Sequence, residues 1–562
     1  PIKVPEIFCL SGDTPVVTDF CGRRNNEEFY HRAKEVSTKV HEDDKKTVYE
    51  PEEDITTKGI EDGEVVDSTV EKFYSIEVPE TFEIEFSDGS TAKVSGNQPF
   101  YTAEGWKEAS EISEGAKVAA PGEMEAFGED RIEWEQLDQD NFRVRENDDL
   151  VKLGETEVDS KAEITFCRKV TSEEKTITVP EHLTPRLSEL LGFIVAEGSL
   201  AENEVRVAAL EGENRERIED LLTDFVDEDR INRRQDGLVV YSKAFIELLH
   251  QGFDIPRDNK THEVDVPGIL FKSSKENWKA FLRGAYRGDG FIGDKKVEYC
   301  SASEDLVSGV ASLLRFLGYE PKKFSDSRGY HHVNLSGGND ITAFRDDVMQ
   351  ENIQRREDNR NKARPMPDMT EEVRFLRDAT RLTYGRDTDE GVIAPVIQRD
   401  QDFGRDRAAR ILSSVKRRLA EVRNLEIEKN LESLERAKDV LKVSYPELEQ
   451  ELGYNPKHQI RQKDEFGEKH EEIRSYMLEV KDGILSQEVF ENVQKLETAT
   501  ETLAWKEVED VEEQGSMTMY DLETDTGSLV GGETPLMLHN SKYVGESESA
   551  VREIFKKARQ VA

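Results

Sequence analysis

Four residues at two distant points of the chain have the side chains needed to cut and rejoin a polypeptide. Cys9 follows "PIKVPEIF", and His539-Asn540-Ser541 follows "TPLML" near the other end of the 562 residues. A thiol is the best side-chain nucleophile near neutral pH, so Cys9 is suited to attack the carbonyl of Phe8 and turn that peptide into a thioester. A thioester is open to a second nucleophile, and the Ser541 hydroxyl is a candidate. The side-chain amide of Asn540 can attack its own backbone carbonyl, closing a succinimide and cutting the bond to Ser541. His539 beside it is suited to move the protons of that step. Each residue alone says nothing, since Asn-Ser pairs and single cysteines are common. Together they make a complete sequence of steps that needs no cofactor.

A second set of candidates is built from acids. "LLGFIVAEGSL" (190–200) and "FLRGAYRGDGFI" (281–292) each end an apolar helical stretch with an acid and a glycine, Glu197-Gly198 and Asp289-Gly290. Small residues recur four apart, Gly192/Ala196 and Gly284/Gly288, a spacing that lets helix backbones approach closely. Two helices packed in this way bring both carboxylates together, where they are expected to hold Mg²⁺ or Mn²⁺ and activate water against a phosphodiester. A basic island at 403–423 is the third candidate. Ile411, Val415, Leu419 and Val422 predict a buried stripe, leaving Arg407, Arg410, Lys416, Arg417 and Arg418 outward for DNA contact. A solvated helical face accounts for the same pattern equally well.

The elements that must position these residues change along the chain. Residues 9–20 and 64–120 read as β, with a turn at Asp88-Gly89, and strands return beyond Ala504. Residues 22–63 are charged and poorly patterned, which predicts an insertion or loop. From Leu183 to about Val348 the pattern is mixed α/β, and 368–500 is almost wholly helical in period. The fold class expected is therefore multidomain: one β domain split between the two ends, an α/β domain in the middle and a mostly helical region. Beyond the junction, Val551, Ile554, Phe555, Ala558 and Val561 fall on one helical face.

Acids number 120 against 77 bases, a net charge of −43. With apolar periodicity along most of the chain, this suits a folded protein from a salt-rich cytoplasm, as in a haloarchaeon, better than a disordered one. Bulk charge opposes nucleic acid, so DNA contact must come from local basic patches. The four cysteines form no metal spacing, and Cys21, Cys167 and Cys300 are expected to be ordinary buried or half-buried thiols. No apolar run reaches membrane-spanning length and no signal segment opens the chain, which predicts a soluble, cytoplasmic protein without a membrane partner. The missing initiator methionine and the helical end suggest a slice of something longer.

With their flanks, the junction residues resemble an intein. "CLSGDTPVV" is similar to the family's N-terminal block, and "YDLETDTGSLVGGETPLMLHNS" to its C-terminal block, where Asp521 matches an aspartate that helps coordinate the two cleavages. The resemblance implies an intein at 9–540 with the all-β, horseshoe-like Hint fold in 9–130 and 504–540. Where the family carries Thr-x-x-His, "VSGNQPFYT" offers Ser95 and Gln98. Gln98 can hydrogen-bond the scissile amide but exchanges no proton with it. No histidine lies between Asp521 and His539, where relatives often have one. The paired acids resemble the two motifs of LAGLIDADG homing endonucleases, which commonly sit inside inteins. That implies an endonuclease at 181–350 with Glu197 and Asp289 as catalytic metal ligands, and double-stranded DNA of the intein-less host gene as target. The lysine that some relatives add is not placed, and "VDVP" (264–267) stands where a basic residue is expected. Residues 131–180 then form a linker or insert, and 351–503 a helical, DNA-recognising region. The flanks 1–8 and 541–562, joined, resemble archaeal AAA+ ATPases of the valosin-containing-protein type, a resemblance that implies they are exteins. Two alternatives stay open: a splicing-only or slow-splicing intein with a degenerate endonuclease, and a non-enzymatic acidic helical interaction protein. His539-Asn540-Ser541 argues against a protein that cleaves itself without ligation, since cleavage alone needs neither an Asn nor a following nucleophile.

Overall fold

The computed structural model describes residues 8–43, 45–61, 64–147, 149–158, 160–167, 176–210, 212–351, 365–382, 404–461 and 466–540. It has two compact units, one made of residues up to 362 and from 506 on, the other of residues 363–505. No helix among the described residues is long and apolar enough to cross a membrane.

In the first unit the two ends of the chain are woven into one sheet, in which sixteen strands join among the described residues. Leu10–Ser11 lies between Thr91–Ser95 and Met517–Thr524, with Leu10 opposite both Val94 and Tyr520. Met517–Thr524 runs beside the long strand Glu64–Val78, which sets Asp521 across from Tyr74. The strand Leu536–His539 pairs with Ser528–Gly531 and meets Pro99–Thr102 where Phe100 faces Leu538. Phe29, Phe73, Phe86, Phe100, Leu522 and Leu538 form much of the core between these strands. The hairpin after Thr81–Phe86 closes at Asp88-Gly89, where Gly89 takes a φ of +78°, a backbone that a side chain disfavours.

A buried lysine ties the ends together at that hairpin. Lys506 reaches Asp88 at 3.0 Å and donates to Ser90 Oγ at 3.1 Å and to the Thr534 carbonyl at 2.8 Å. The turn leading into Leu536–His539 is thereby fixed against a strand pair more than 400 residues earlier. A charge this deeply buried persists only because it is paired and fully hydrogen-bonded.

Residues 22–63 are not the expected insertion or loop. They supply the strands Gly22–Asn25, Ser37–Glu42, Lys46–Pro51 and Thr56–Glu61 and the helix Asn26–Ala33. Ser37–Glu42 buries neither face, so it carries no alternation for a sequence pattern to detect. Residues 131–180, read as a linker or insert with short strands such as "AEITF", hold a four-stranded antiparallel sheet of Phe142–Glu146, Asp149–Lys152, Ala162–Phe166 and Ile177–Val179.

Between these β regions the chain repeats one plan twice. The helices Pro185–Glu197 and Lys275–Asp289 are each started by a hydroxyl cap, Thr184 accepting from Leu187 N–H at 3.2 Å and Ser274 from Asn277 N–H at 3.4 Å. Each ends at its acid and runs directly into a strand, Gly198–Leu200 or Gly290–Ile292. That strand edges a four-stranded sheet with the same strand order both times. The second unit is helical, with Thr370–Ala379, Arg405–Arg423, Leu431–Val440, Glu468–Ile484 and Gln487–Glu497 as its longer helices.

Candidate functional site

The sheet register brings the flanks of both junctions together. The N–H of Cys9, part of the Phe8–Cys9 peptide, donates to Ser95 Oγ at 3.1 Å, and Ser95 N–H donates back to the Cys9 carbonyl at 3.0 Å. The Phe8 ring stands edge-on to the His539 imidazole with centres 5.4 Å apart, and Trp106 stands edge-on to the same imidazole at 5.0 Å. Gln98, expected at the Cys9 amide, lies elsewhere. Its Nε2 donates to the carbonyl oxygens of His539 at 2.6 Å and Pro99 at 3.2 Å. Ser95 ends the strand beside Leu10 and takes the amide, whereas Gln98 follows a turn and faces the Leu536–His539 strand.

Asn540 is fully buried. Its Nδ2 donates to the Leu522 carbonyl at 2.5 Å and to Thr524 Oγ1 at 2.8 Å, and its main-chain N–H donates to the Gly527 carbonyl at 3.1 Å. Acceptors on Nδ2 draw its protons away from nitrogen, which favours nucleophilic attack. His539 Nδ1 lies 2.7 Å from the carbonyl oxygen of Asn540. With a proton on Nδ1 it donates to the oxygen that gains charge as that carbonyl is attacked. Ser541, and the flanking stretches 1–7 and 542–562, lie outside the described residues.

Cys9 is also fully buried. Burial pushes its thiol well above the usual range, the Asp521 carboxylate pushes it further, and Lys46 pulls the other way. Asp521 is itself buried and accepts from the Tyr74 hydroxyl at 2.7 Å. Thr524 has no role from sequence alone. It stands three residues after Asp521 in a strand, and no spacing rule marks it; only the register does.

The acid pair rests on backbone contact. A Cβ added at Gly192 would lie 2.2 Å from the Phe281 carbonyl oxygen, and one at Gly284 would lie 2.0 Å from that of Glu189. No larger residue permits that approach. Glu189, buried in the seam, pairs with Arg217 at 2.8 Å, Arg287 at 3.3 Å and Arg283 at 3.4 Å. At the ends of the helices, Glu197 is pushed up by burial and then by Asp289, and Asp289 is pushed up by burial while Lys260 pulls it back. A cleft of about 530 Å³ opens beside Glu197, lined by Phe193, Asn214, Arg287 and Gly288 among others.

Lys260, which has no role from sequence alone, stands beside the acid pair. Its Nζ donates to the Val195 carbonyl at 2.6 Å, and burial pushes its pKa down to about 8 although Asp289 and Glu197 pull it up. It sits four residues ahead of "VDVP", in a charged stretch that reads as loop. Two acids against one lysine leave negative charge uncompensated. This hard-oxygen donor pair fits a divalent cation such as Mg²⁺ or Mn²⁺. No group of three or more His, Cys, Asp or Glu suited to a metal occurs among the described residues.

In the second unit, Arg405–Arg423 buries Ile411, Val415, Leu419 and Val422 as expected, but Arg418 is buried with them at 4% exposure. Positions 411, 415, 418 and 422 share one helical face. Arg418 donates to the Thr380 carbonyl at 3.1 Å and pairs with Glu421 at 2.6 Å, so it is not an outward DNA contact. Lys416 pairs with Glu497 at 2.5 Å and Glu501 at 3.2 Å. Arg410 and Arg417 are exposed and Arg407 is half-buried.

Comparison with known proteins adds three kinds of likeness. An A-type ATP synthase protein of Pyrococcus abyssi is 25% identical over 342 residues, 59% of this chain and 31% of that protein. A probable translation initiation factor IF-2 of Methanocaldococcus jannaschii is 24% identical over 328 residues, 50% of this chain and 28% of that protein. The chain thus spans about a third of the length of the curated relatives it matches. Among solved structures, the TvoVMA intein is similar at 22% identity and a TM-score of 0.19, covering 20% of this chain and 70% of that one. I-DmoI in complex with DNA and Mn is similar at 19% identity and a TM-score of 0.24, covering 31% of this chain and all of that one. Residues 276–349 match the family model of the LAGLIDADG-like domain, and that segment contains the second acid-bearing helix, Asp289 and the sheet that follows it.

Proposed function

We propose that residues 9–540 form a self-excising intein, and that 181–350 within it form a homing endonuclease. The observation that carries the reading is the meeting of the two junctions: Phe8 packs on His539, while Ser95 and Gln98, three residues apart, hold the Cys9 amide and the His539 carbonyl. Cys9 Sγ attacks the Phe8 carbonyl carbon, the bond to Cys9 nitrogen breaks, and the thiol proton ends on the freed amine. Ser541 Oγ then takes the acyl group and releases the Cys9 thiol. Asn540 Nδ2 closes on its own carbonyl, aided by His539 at the oxygen, and the bond to Ser541 nitrogen breaks. The freed Ser541 amine finally takes the acyl group from its own oxygen, leaving an ordinary peptide between Phe8 and Ser541. All groups belong to the chain.

The relatives support an inserted element. Segments of this chain match parts of an ATP synthase protein and of a translation factor, proteins whose names share no activity. The host read from the flanks remains an AAA+ ATPase of the valosin-containing-protein type, in an archaeon adapted to salt, and the protein works in the cytoplasm. For the endonuclease, Glu197 and Asp289 would hold the cation, which when bound supplies charge stabilisation and an activated water at a phosphodiester. Lys260 holds a proton near the two acids, and the cleft beside Glu197 admits DNA backbone. Arg407, Arg410 and Arg417 of the helical unit add phosphate contacts. Incubation of the purified chain tests the excision reading: mass spectrometry should find residues 9–540 free and residues 1–8 joined to 541–562. An unchanged mass would refute it.

A further inference from the structure

A charged side chain stands behind the first junction without touching either scissile bond. Lys46 begins the strand Lys46–Pro51, opposite Ile76, with Val48 opposite Tyr74, so Lys46 and Val48 share a face and flank the tyrosine. The Lys46 ammonium lies 3.4 Å from the centre of the Tyr74 ring, a close cation–π contact. The hydroxyl of that ring donates to Asp521 at 2.7 Å. Tyr74, Val48 and Met519 in turn pack around Cys9. Ammonium, phenol, carboxylate and thiol therefore form one contiguous group inside the sheet.

That group faces an electrostatic problem. Forming a thiolate at Cys9 is opposed by complete burial and by the Asp521 carboxylate. The charge acting against both is Lys46. It is faced in turn by Asp521, Cys9, Glu523 and Asp43, all favouring its charged form, while burial disfavours it. We propose that Lys46 is a positioning residue for the first acyl shift, holding the Tyr74 hydroxyl on Asp521 and supplying the positive charge that stabilises the Cys9 thiolate. The inference rests on the reading that Cys9 is the nucleophile. The bond changes are those of thioester formation: Sγ–C forms, C–N breaks, and the thiol proton ends on the Cys9 amine. Lys46 gives up and takes on nothing.

The test uses the full chain and measures cleavage after Phe8 induced by dithiothreitol, over a range of pH. Lys46→Met keeps an apolar stem over the ring and removes the charge. It should slow cleavage about tenfold near neutral pH and move the rate profile up by about one pH unit. Lys46→Arg should stay close to the parent. Release of 541–562 by Asn540, measured with Cys9→Ala also present, should be unaffected by Lys46→Met, which shows that the sheet has folded. Slowing by the same factor at every pH, or no slowing at all while the parent cleaves, overturns this proposal alone. No cleavage after Phe8 in the parent overturns the nucleophile assignment and this proposal with it.

Discussion

The junction centre and the acid centre are built on opposite plans. At the junctions, Cys9, Ser95, Gln98, Asp521, Thr524, His539 and Asn540 come from several strands and turns far apart in the chain, each present once and each placed by a hydrogen bond. At the acids, one plan is used twice: a capped helix, a seam of small residues, a terminal carboxylate and a four-stranded sheet. Backbone contact at Gly192 and Gly284 sets that site. A site of single parts should fail one step at a time under point changes. A seam-built site should fail through its volume as readily as through its acids.

The largest effect expected is that of Asn540→Ala. With Nδ2 gone, release of 541–562 should fall by about a thousandfold or more, while thiol-induced cleavage after Phe8 continues. Release at the parental rate would break the single-part account of the junction. Glu197→Gln and Asp289→Asn should each reduce cutting of DNA carrying the joined flank-coding sequence by about a hundredfold or more, and leave excision intact. Gel analysis of cut DNA beside mass analysis of the protein separates the two. Cutting that survives in both variants would remove the acids from the site.

Gly284→Leu sharpens the other half of the comparison. Its Cβ has no room against the Glu189 carbonyl, so the seam must open, costing about 1–3 kcal/mol on a urea melt and most DNA cutting. Smaller again, Ser95→Ala should slow the first acyl shift about tenfold, and Gln98→Ala should instead slow the Asn540 step. Either variant slowing both steps equally would mean that the junctions share one set of supports. Burial and Asp521 raise the Cys9 thiol, so thiol-induced cleavage should still be climbing above about pH 8.5, where an ordinary thiol is half ionised. A plateau below that value would contradict the buried thiol. The smallest change expected is from Gln98→His, within about twofold on the first step, because position 98 faces the other junction. A large acceleration would return it to the Cys9 amide.

What could be read from sequence follows the same division. The acid helices end at Glu197 and Asp289 as their pattern predicts, because an apolar period, a hydroxyl cap and a terminal glycine are local signals. The split β domain was legible from strand-rich text at both ends. Ser95 over Gln98, Thr524 beneath Asn540 and Lys46 behind Cys9 were not, since pairing between strands hundreds of residues apart leaves no spacing to count. Lys260 was hidden for another reason: a lysine among charged neighbours reads as solvated loop until folding half-buries it beside the acids. Arg418 shows the reverse error, a cation assigned outward although its position on the helix shares the buried stripe.

Met517–Thr524 lies between Leu10–Ser11 and Glu64–Val78, and this has a consequence in time. The strands that hold Cys9 leave the ribosome long before the strand that completes their pairing. At roughly 5–20 residues per second, the interval between Leu10 and Met517 lasts roughly half a minute to a minute and a half. During that interval Met519 and Asp521 do not yet exist, so the surroundings of Cys9 are incomplete. Under the proposed excision, the weave acts as a clock: it withholds the first cut until the strand that completes the surroundings of Cys9 has been made. Chains stalled on the ribosome before Met517 are expected to resist thiol-induced cleavage after Phe8, and chains stalled well beyond Asn540 to undergo it.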